Sequence, residues 1–186
     1  MKTNRFMRED NGFINLLPSE EAQLRYFKAY RNMVNHIGCY YMGYILEDPE
    51  NHVRTGFTSN IEWGKEYLNE YISNCHLWNQ VQSFYEKSKC FSFILPWSTV
   101  LPSTSLQKEI LLRREEHYIG SDGVSFCKRL GALREYYYFA PEVKQKGLLK
   151  YVSNNIDIIK VEINIFRSNS IDLIEKYRNE RMKFNG

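Results

Sequence analysis

Val124-Ser-Phe-Cys-Lys-Arg129, Leu130-Gly131-Ala132 and Leu133-Arg-Glu-Tyr-Tyr-Tyr-Phe139 read together as two strands joined by a tight turn. Side chains alternate across a strand, so Tyr136 and Tyr138 share one face and Tyr137 takes the other. Beyond Pro141 the period changes. Leu149, Val152, Ile156, Ile159, Ile163, Phe166, Leu173 and Tyr177 follow steps of three and four, interrupted only at Ser170. Such a helix either packs its seam on the sheet or pairs in part with a second subunit as a coiled-coil stripe.

Upstream of the hairpin, Gly120-Ser-Asp-Gly123 is turn chemistry. Thr104-Ser-Leu-Gln107 fits a capping box opening a helix through His117, with Leu106, Ile110 and Leu111 inward. Cys90-Phe-Ser-Phe-Ile-Leu95 is a strand stopped by Pro96-Trp97, and Leu77 to Lys87 is a short helix. Ser59-Asn60-Ile61-Glu62 fits a second capping box, after which Trp63, Tyr67 and Tyr71 fall at intervals of four along one side of a helix. Gly38 to Leu46 and His52 to Phe57 are strands flanking the polar turn Glu47 to Asn51. Ser19, followed by Glu20 and Glu21, caps a first helix over roughly 19 to 35 with the stripe Tyr26, Tyr30, Met33 and Ile37.

No βαβ rhythm runs through this order. The expectation is an α/β (α+β) fold, an α-β-α sandwich around a central five-stranded antiparallel sheet, PAS/GAF-like in layout. Residues 1–17 form an N-terminal arm whose Phe13, Ile14, Leu16 and Leu17 can dock on the body. One domain covers 18–180 and ends in the long helix, and 181–186 are a tail or linker stub.

With 186 residues the chain suits one domain, which buries about two thirds of its unfolded surface and needs no staples. A net charge of +3 gives no broad field for gripping a phosphate backbone. Cys39, Cys75, Cys90 and Cys127 lack CxxC spacing, which fits reduced thiols in the cytoplasm. Neither a signal peptide nor an apolar run of membrane-spanning length is present, so no membrane partner is expected. Aromatic residues are 15% of the chain, including 14 Tyr, and buried tyrosines need polar partners for their tips.

Enzymatic signatures are missing: no P-loop, GxGxxG, GxSxG, HExxH or EF-hand loop. The four histidines stand apart, so no metal and no catalytic residue is assigned. Glu115, Glu116 and His117 are consecutive and read as a solvated helix surface. Cys127 lies beside Lys128 and Arg129, but neighbours in a strand point to opposite faces, which leaves a passive buried thiol. No cofactor is expected, and a colourless protein would dispose of a haem- or flavin-bound sensor.

The run Ser59-Asn-Ile-Glu-Trp63-Gly-Lys-Glu-Tyr67, then Pro96-Trp97-Ser98, then Gly123-Val-Ser-Phe126, resembles the autoinducer-binding domain of LuxR-type quorum-sensing transcription regulators, closest to their divergent, orphan branch. The likeness spans about residues 20 to 180. It implies a non-enzymatic sensing domain that binds a small apolar signal, acyl homoserine lactone-like or otherwise. Trp63 and Tyr67 would close over the acyl chain and amide, and Trp97 would donate its indole N–H to the lactone carbonyl. Where the family has Tyr-Pro before the first Trp this chain has Ser59-Asn60, and His76-Leu77 stands where the family has Asp-Pro. His76 is then the candidate replacement for the Asp that accepts the ligand amide hydrogen. Tyr40, Tyr44, Tyr136 and Tyr138, at alternate strand positions, complete the expected wall. The resemblance further implies homodimerisation, for which Ile156, Ile159, Ile163 and Phe166 are candidates, and contact with DNA only through a helix-turn-helix domain absent from this chain. The competing reading is a ligand-free interaction or dimerisation module whose aromatic rings simply fill the core.

Overall fold

The structure, a computed structural model, describes residues 9–10, 13–87, 91–144 and 146–184. Two strand segments, β1 (Glu9–Asp10) and β2 (Phe13–Leu16), precede helix α1 (Glu20–Ile37). The Ser19 hydroxyl accepts from the Ala22 N–H at 3.2 Å, two glutamates occupy the first turn, and Gly38 closes the helix in the left-handed conformation. β3 (Tyr41–Asp48) and β4 (Val53–Thr58) follow as an antiparallel pair. Then come α2 (Ile61–Glu66), a π-turn over Tyr67–Tyr71, a 3-10 turn over Ile72–Asn74 and α3 (His76–Lys87). Next are β5 (Ser92–Pro96), α4 (Ser105–Glu116), β6 (Val124–Leu130) and β7 (Leu133–Ala140), and the chain ends in α5 (Leu148–Asn154) and α6 (Ile156–Phe184).

All five expected strands are present and pair antiparallel, but the sheet is larger and mixed. Its order is β1-β2-β4-β3-β7-β6-β5, with β2 parallel to β4. Four residues without clean alternation carry little strand signal of their own. What makes β2 a strand is the edge it adds to: Ile14 N–H donates to His52 C=O at 2.8 Å, and Arg54 Nε–H donates to the Asn15 side-chain oxygen at 2.6 Å. Part of the expected arm is therefore sheet. Cys90, expected to start the third strand, lies outside the described residues.

Alternation along the central strands sorts the core into two layers. Met42, Tyr44, Leu46, Tyr137 and Phe139 pack against α1, α5 and α6. Tyr41, Tyr136, Tyr138 and Ala140 face α2, α3 and α4. With both faces covered, β3 is almost continuously buried, which is why its sequence reads as an unbroken apolar and aromatic run.

The α6 seam lies on this sheet. Ile159, Ile163 and Phe166 are buried in the chain's own core at 1%, 8% and 0% exposure, which corrects their assignment to a dimer surface, and Ile156 sits half-exposed at the start of the helix. Ser170, the one break in the seam, is fully buried, and its hydroxyl meets the Tyr26 hydroxyl at 2.9 Å. The interruption is a polar pair across the α1–α6 contact. Two ion pairs fasten the same helix to the strands, Arg167 to Glu135 at 2.7 Å and Arg178 to Asp48 at 2.6 Å.

Candidate functional site

The residues that build the site begin at Asn60. Its side-chain oxygen accepts from the Trp63 N–H at 3.0 Å, so Asn60 and not Ser59 caps α2, and the Ser59 hydroxyl accepts from Met42 N–H at 3.0 Å on the neighbouring strand. Gly64 packs directly on Thr58, where a Cβ would stand 2.3 Å from the methyl group, which presses α2 onto β4. After one turn and a half the helix widens into the π-turn. Trp63, on α2, meets Tyr67 in a tilted contact at 5.3 Å and stacks on Tyr71 at 6.2 Å between ring centroids. A π-turn inserts an extra residue per turn and re-aims the side chains beyond it, and such turns recur at functional sites.

Between this segment, α4 and the sheet lies a cavity of about 470 Å³, within the range of small-molecule pockets. Its wall is mostly apolar. Tyr41, Gly43, Ile45 and Tyr138 form the sheet side, Trp63, Tyr67, Leu68, Cys75 and Leu77 the α2–α3 side, and Trp97, Ile110 and Arg114 the far end. The cavity also reaches Leu16, Leu17 and Phe57 past the edge of β4, where the β2 pairing ends at Leu16–Thr55 and Gly56 to Thr58 pair with β3 alone. Among the described residues no Asp or Glu lines it.

The far end is held by Trp97 and Arg114. The Trp97 indole N–H donates to the buried Ser125 hydroxyl at 2.7 Å, and the Arg114 guanidinium lies 4.6 Å above the indole ring. Gly123 backs the ring so closely that a Cβ there would sit 2.2 Å from it.

Among solved structures the chain is similar to the N-acylhomoserine lactone dependent LuxR family transcription factor CepR2 from Burkholderia cenocepacia, with a TM-score of 0.50 and 8% identity over 84% of this chain and 99% of that one. The chain shares the fold of that structure. Escherichia coli SdiA is similar at a TM-score of 0.44 and 12% identity over 83% of this chain and 63% of that one, so the chain spans less than two thirds of SdiA's length. No family profile and no curated protein matches the sequence.

Within this fold, Trp63, Tyr67, Trp97 and Tyr138 come together on the cavity wall. Other expected wall residues do not. Tyr40 is 42% exposed and uses its carbonyl to accept from the Tyr30 hydroxyl at 2.8 Å. Tyr44 touches the cavity border, but its ring is in the opposite layer against Tyr137 at 5.1 Å and Phe166 at 5.4 Å. Strand β3 begins one position later than alternation from Tyr40 implies, so its odd-numbered residues, starting with Tyr41, face the cavity. Tyr136 has the expected face but lies beside Trp78 at 4.9 Å, with its hydroxyl donating to Glu47 at 2.8 Å and accepting from Gln82 at 3.0 Å.

His76 opens α3 just outside the wall, between the lining residues Cys75 and Leu77. It is 6% exposed, and burial together with the Arg114 charge lowers its pKa from 6.5 to about 4. Because the folded ring binds fewer protons than the unfolded one, stability is full above about pH 6.5 and falls as the pH drops toward 4, by up to roughly 3 kcal/mol. Denaturant titrations at pH 7 and pH 5 measure this loss, and His76→Gln is expected to flatten it.

Sequence reasoning missed Arg114 altogether. It expected Leu106, Ile110 and Leu111 inward on α4, whereas Leu106 is 40% exposed and Arg114 only 5%. The available signal was the spacing of four from Ile110 to Arg114, which puts the two on one helix face. His117, expected on a solvated surface, packs on Trp63 at 5.5 Å, and its Nε2 lies 3.1 Å from the Glu66 carboxylate. Cys39, Cys75 and Cys127 are free and buried, and burial pushes the Cys39 thiol up to about 12.

Gly123→Ala tests how rigidly the wall is held. The new methyl group drives into the Trp97 ring and pushes it toward the cavity that it lines, so the Ser125 bond is lost and stability drops by about 1–3 kcal/mol. A shifted tryptophan emission maximum with a lower urea midpoint is the expected readout. Unchanged emission would show a wall that yields elsewhere.

Proposed function

We propose that this chain is the ligand-sensing domain of a LuxR-type transcription regulator working in the cytoplasm, with no bond chemistry of its own. The cavity takes a small amphipathic signal, and occupancy is coupled to homodimerisation by population shift. The single observation that supports this reading is the aromatic-walled space of about 470 Å³ between sheet and helices. A solid-core interaction module would have that volume filled by its own side chains. CepR2, whose fold the chain shares, is described as N-acylhomoserine lactone dependent.

The wall supports tail binding better than lactone recognition by family rules. An apolar tail gains about 0.8 kcal/mol per buried methylene, so a medium-length chain supplies most of the affinity. Trp97, however, already donates its indole N–H to Ser125, and the lactone carbonyl bond would require that donor to be shared or exchanged. Among the described residues no helix is long and apolar enough to cross a membrane.

Mass spectrometry of the purified protein for a co-purifying small molecule, with thermal melts against a panel of single-chain amphiphiles that includes acyl homoserine lactones, tests the reading. A binder at a hundredfold excess over its Kd stabilises the fold by about 2.7 kcal/mol, well within detection. No released molecule and no shift with any amphiphile would end it.

A further inference from the structure

The cavity ends on a buried cation that forms no ion pair among the described residues. Arg114 is 5% exposed, its Nε has no hydrogen-bond partner, and among the described residues none forms an ion pair with it. Its neighbour is the Trp97 ring face at 4.6 Å, and the one carboxylate whose field reaches it, that of Glu115 next along α4, makes no ion pair with it among the described residues. The Tyr138 hydroxyl, on the sheet side of the same cavity, is also buried without a partner among the described residues. The other charged side chains on the wall, Arg54 and Lys65, are cationic too.

A buried guanidinium is costly to hold unless a charge of opposite sign and further hydrogen bonds compensate it. Its planar fork of N–H donors matches a carboxylate in two-point contact, a geometry a neutral ester or lactone carbonyl cannot fill. We propose that the ligand is a single-chain amphiphile with a carboxylate head, that Arg114 receives the head, and that Tyr138 contributes a further donor. The apolar tail then lies along Trp63, Tyr67 and Leu68. This deepens the receptor reading above and rests on it. It also gives the cavity a selectivity: donors without matching acceptors reject a neutral head by leaving the cation buried and unpaired.

The test uses twin ligands that differ only at the head, measured by titration calorimetry and thermal melts at about pH 6.5, where carboxylates are ionised and the lactone ring stays closed. The twins are dodecanoate with methyl dodecanoate, and ring-opened N-dodecanoyl homoserine with its lactone. In the wild-type chain each carboxylate is expected to bind at least about tenfold more tightly than its neutral twin, and Arg114→Met to bring the pair to parity while the neutral twin keeps its affinity. Preference for dodecanoate alone would assign a fatty acid, and preference in both pairs a broader carboxylate class. Neutral twins binding as well as or better than the carboxylates would overturn the proposal and leave the receptor reading standing, as would an Arg114→Met chain that keeps the preference. Failure of all four ligands to bind would overturn both. Should Arg114→Met not fold, the wild-type twin comparison decides by itself.

Discussion

Arg167→Met is expected to lower folding stability by about 3–5 kcal/mol, because it removes the main compensation of a fully buried carboxylate. Glu135 on β7 has no solvent exposure. Arg167 meets it with two parallel bonds, Nε–H to Oε1 at 2.8 Å and an Nη2–H to Oε2 at 2.7 Å, and the Tyr44 hydroxyl adds a longer one at 3.2 Å. Without the guanidinium, the carboxylate is left with the hydroxyls of Tyr44 and Tyr137. Urea unfolding of Arg167→Met, Glu135→Gln and the double variant forms a cycle in which the double variant recovers much of the single loss. A cost below about 1 kcal/mol would mean that water reaches Glu135 and that the pair is a surface bridge in energetic terms.

Phe166→Ala should be comparably severe, at about 3–5 kcal/mol. Its ring has no exposure and stacks on Tyr26 at 4.8 Å, with Phe57 at 5.2 Å and Tyr44 at 5.4 Å. Deleting it leaves a void between α1, α6 and the sheet that stiff neighbouring aromatics cannot close. The same substitution separates two uses of the seam. If Phe166 lay at a subunit interface, light scattering would show a halved mass with the fold intact. Here the mass is expected to stay constant while the denaturation midpoint falls, and Ile163→Asp is expected to unfold the chain rather than dissociate it.

The order of elements was legible because their local signals are strong: Ser19 and Thr104 cap where their spacing says they should, and the 124–139 hairpin pairs in the register its turn dictates. What stayed hidden depends on contacts distant in sequence. β2 is a strand only because the edge of β4 receives it. The cavity face of β3 hinged on a shift of one residue, which moves every side chain to the other layer and turned Tyr40 and Tyr44 away in favour of Tyr41. On α4 a polar sequence with scattered leucines gives no clear inward face, so a buried arginine was indistinguishable from a surface one. Trp63, Tyr67 and Trp97 were readable because large aromatics at fixed spacing survive such slips.

α6 is gripped at Arg167 and again at Arg178, eleven residues or about 16 Å further along. A rod fastened at two stations neither pivots nor rolls on its bed. The fasteners sit on β7 and β3, whose reverse sides supply Tyr138, Tyr41 and Gly43 to the cavity. A displacement of either strand would therefore reach α6 through one of these two ion pairs.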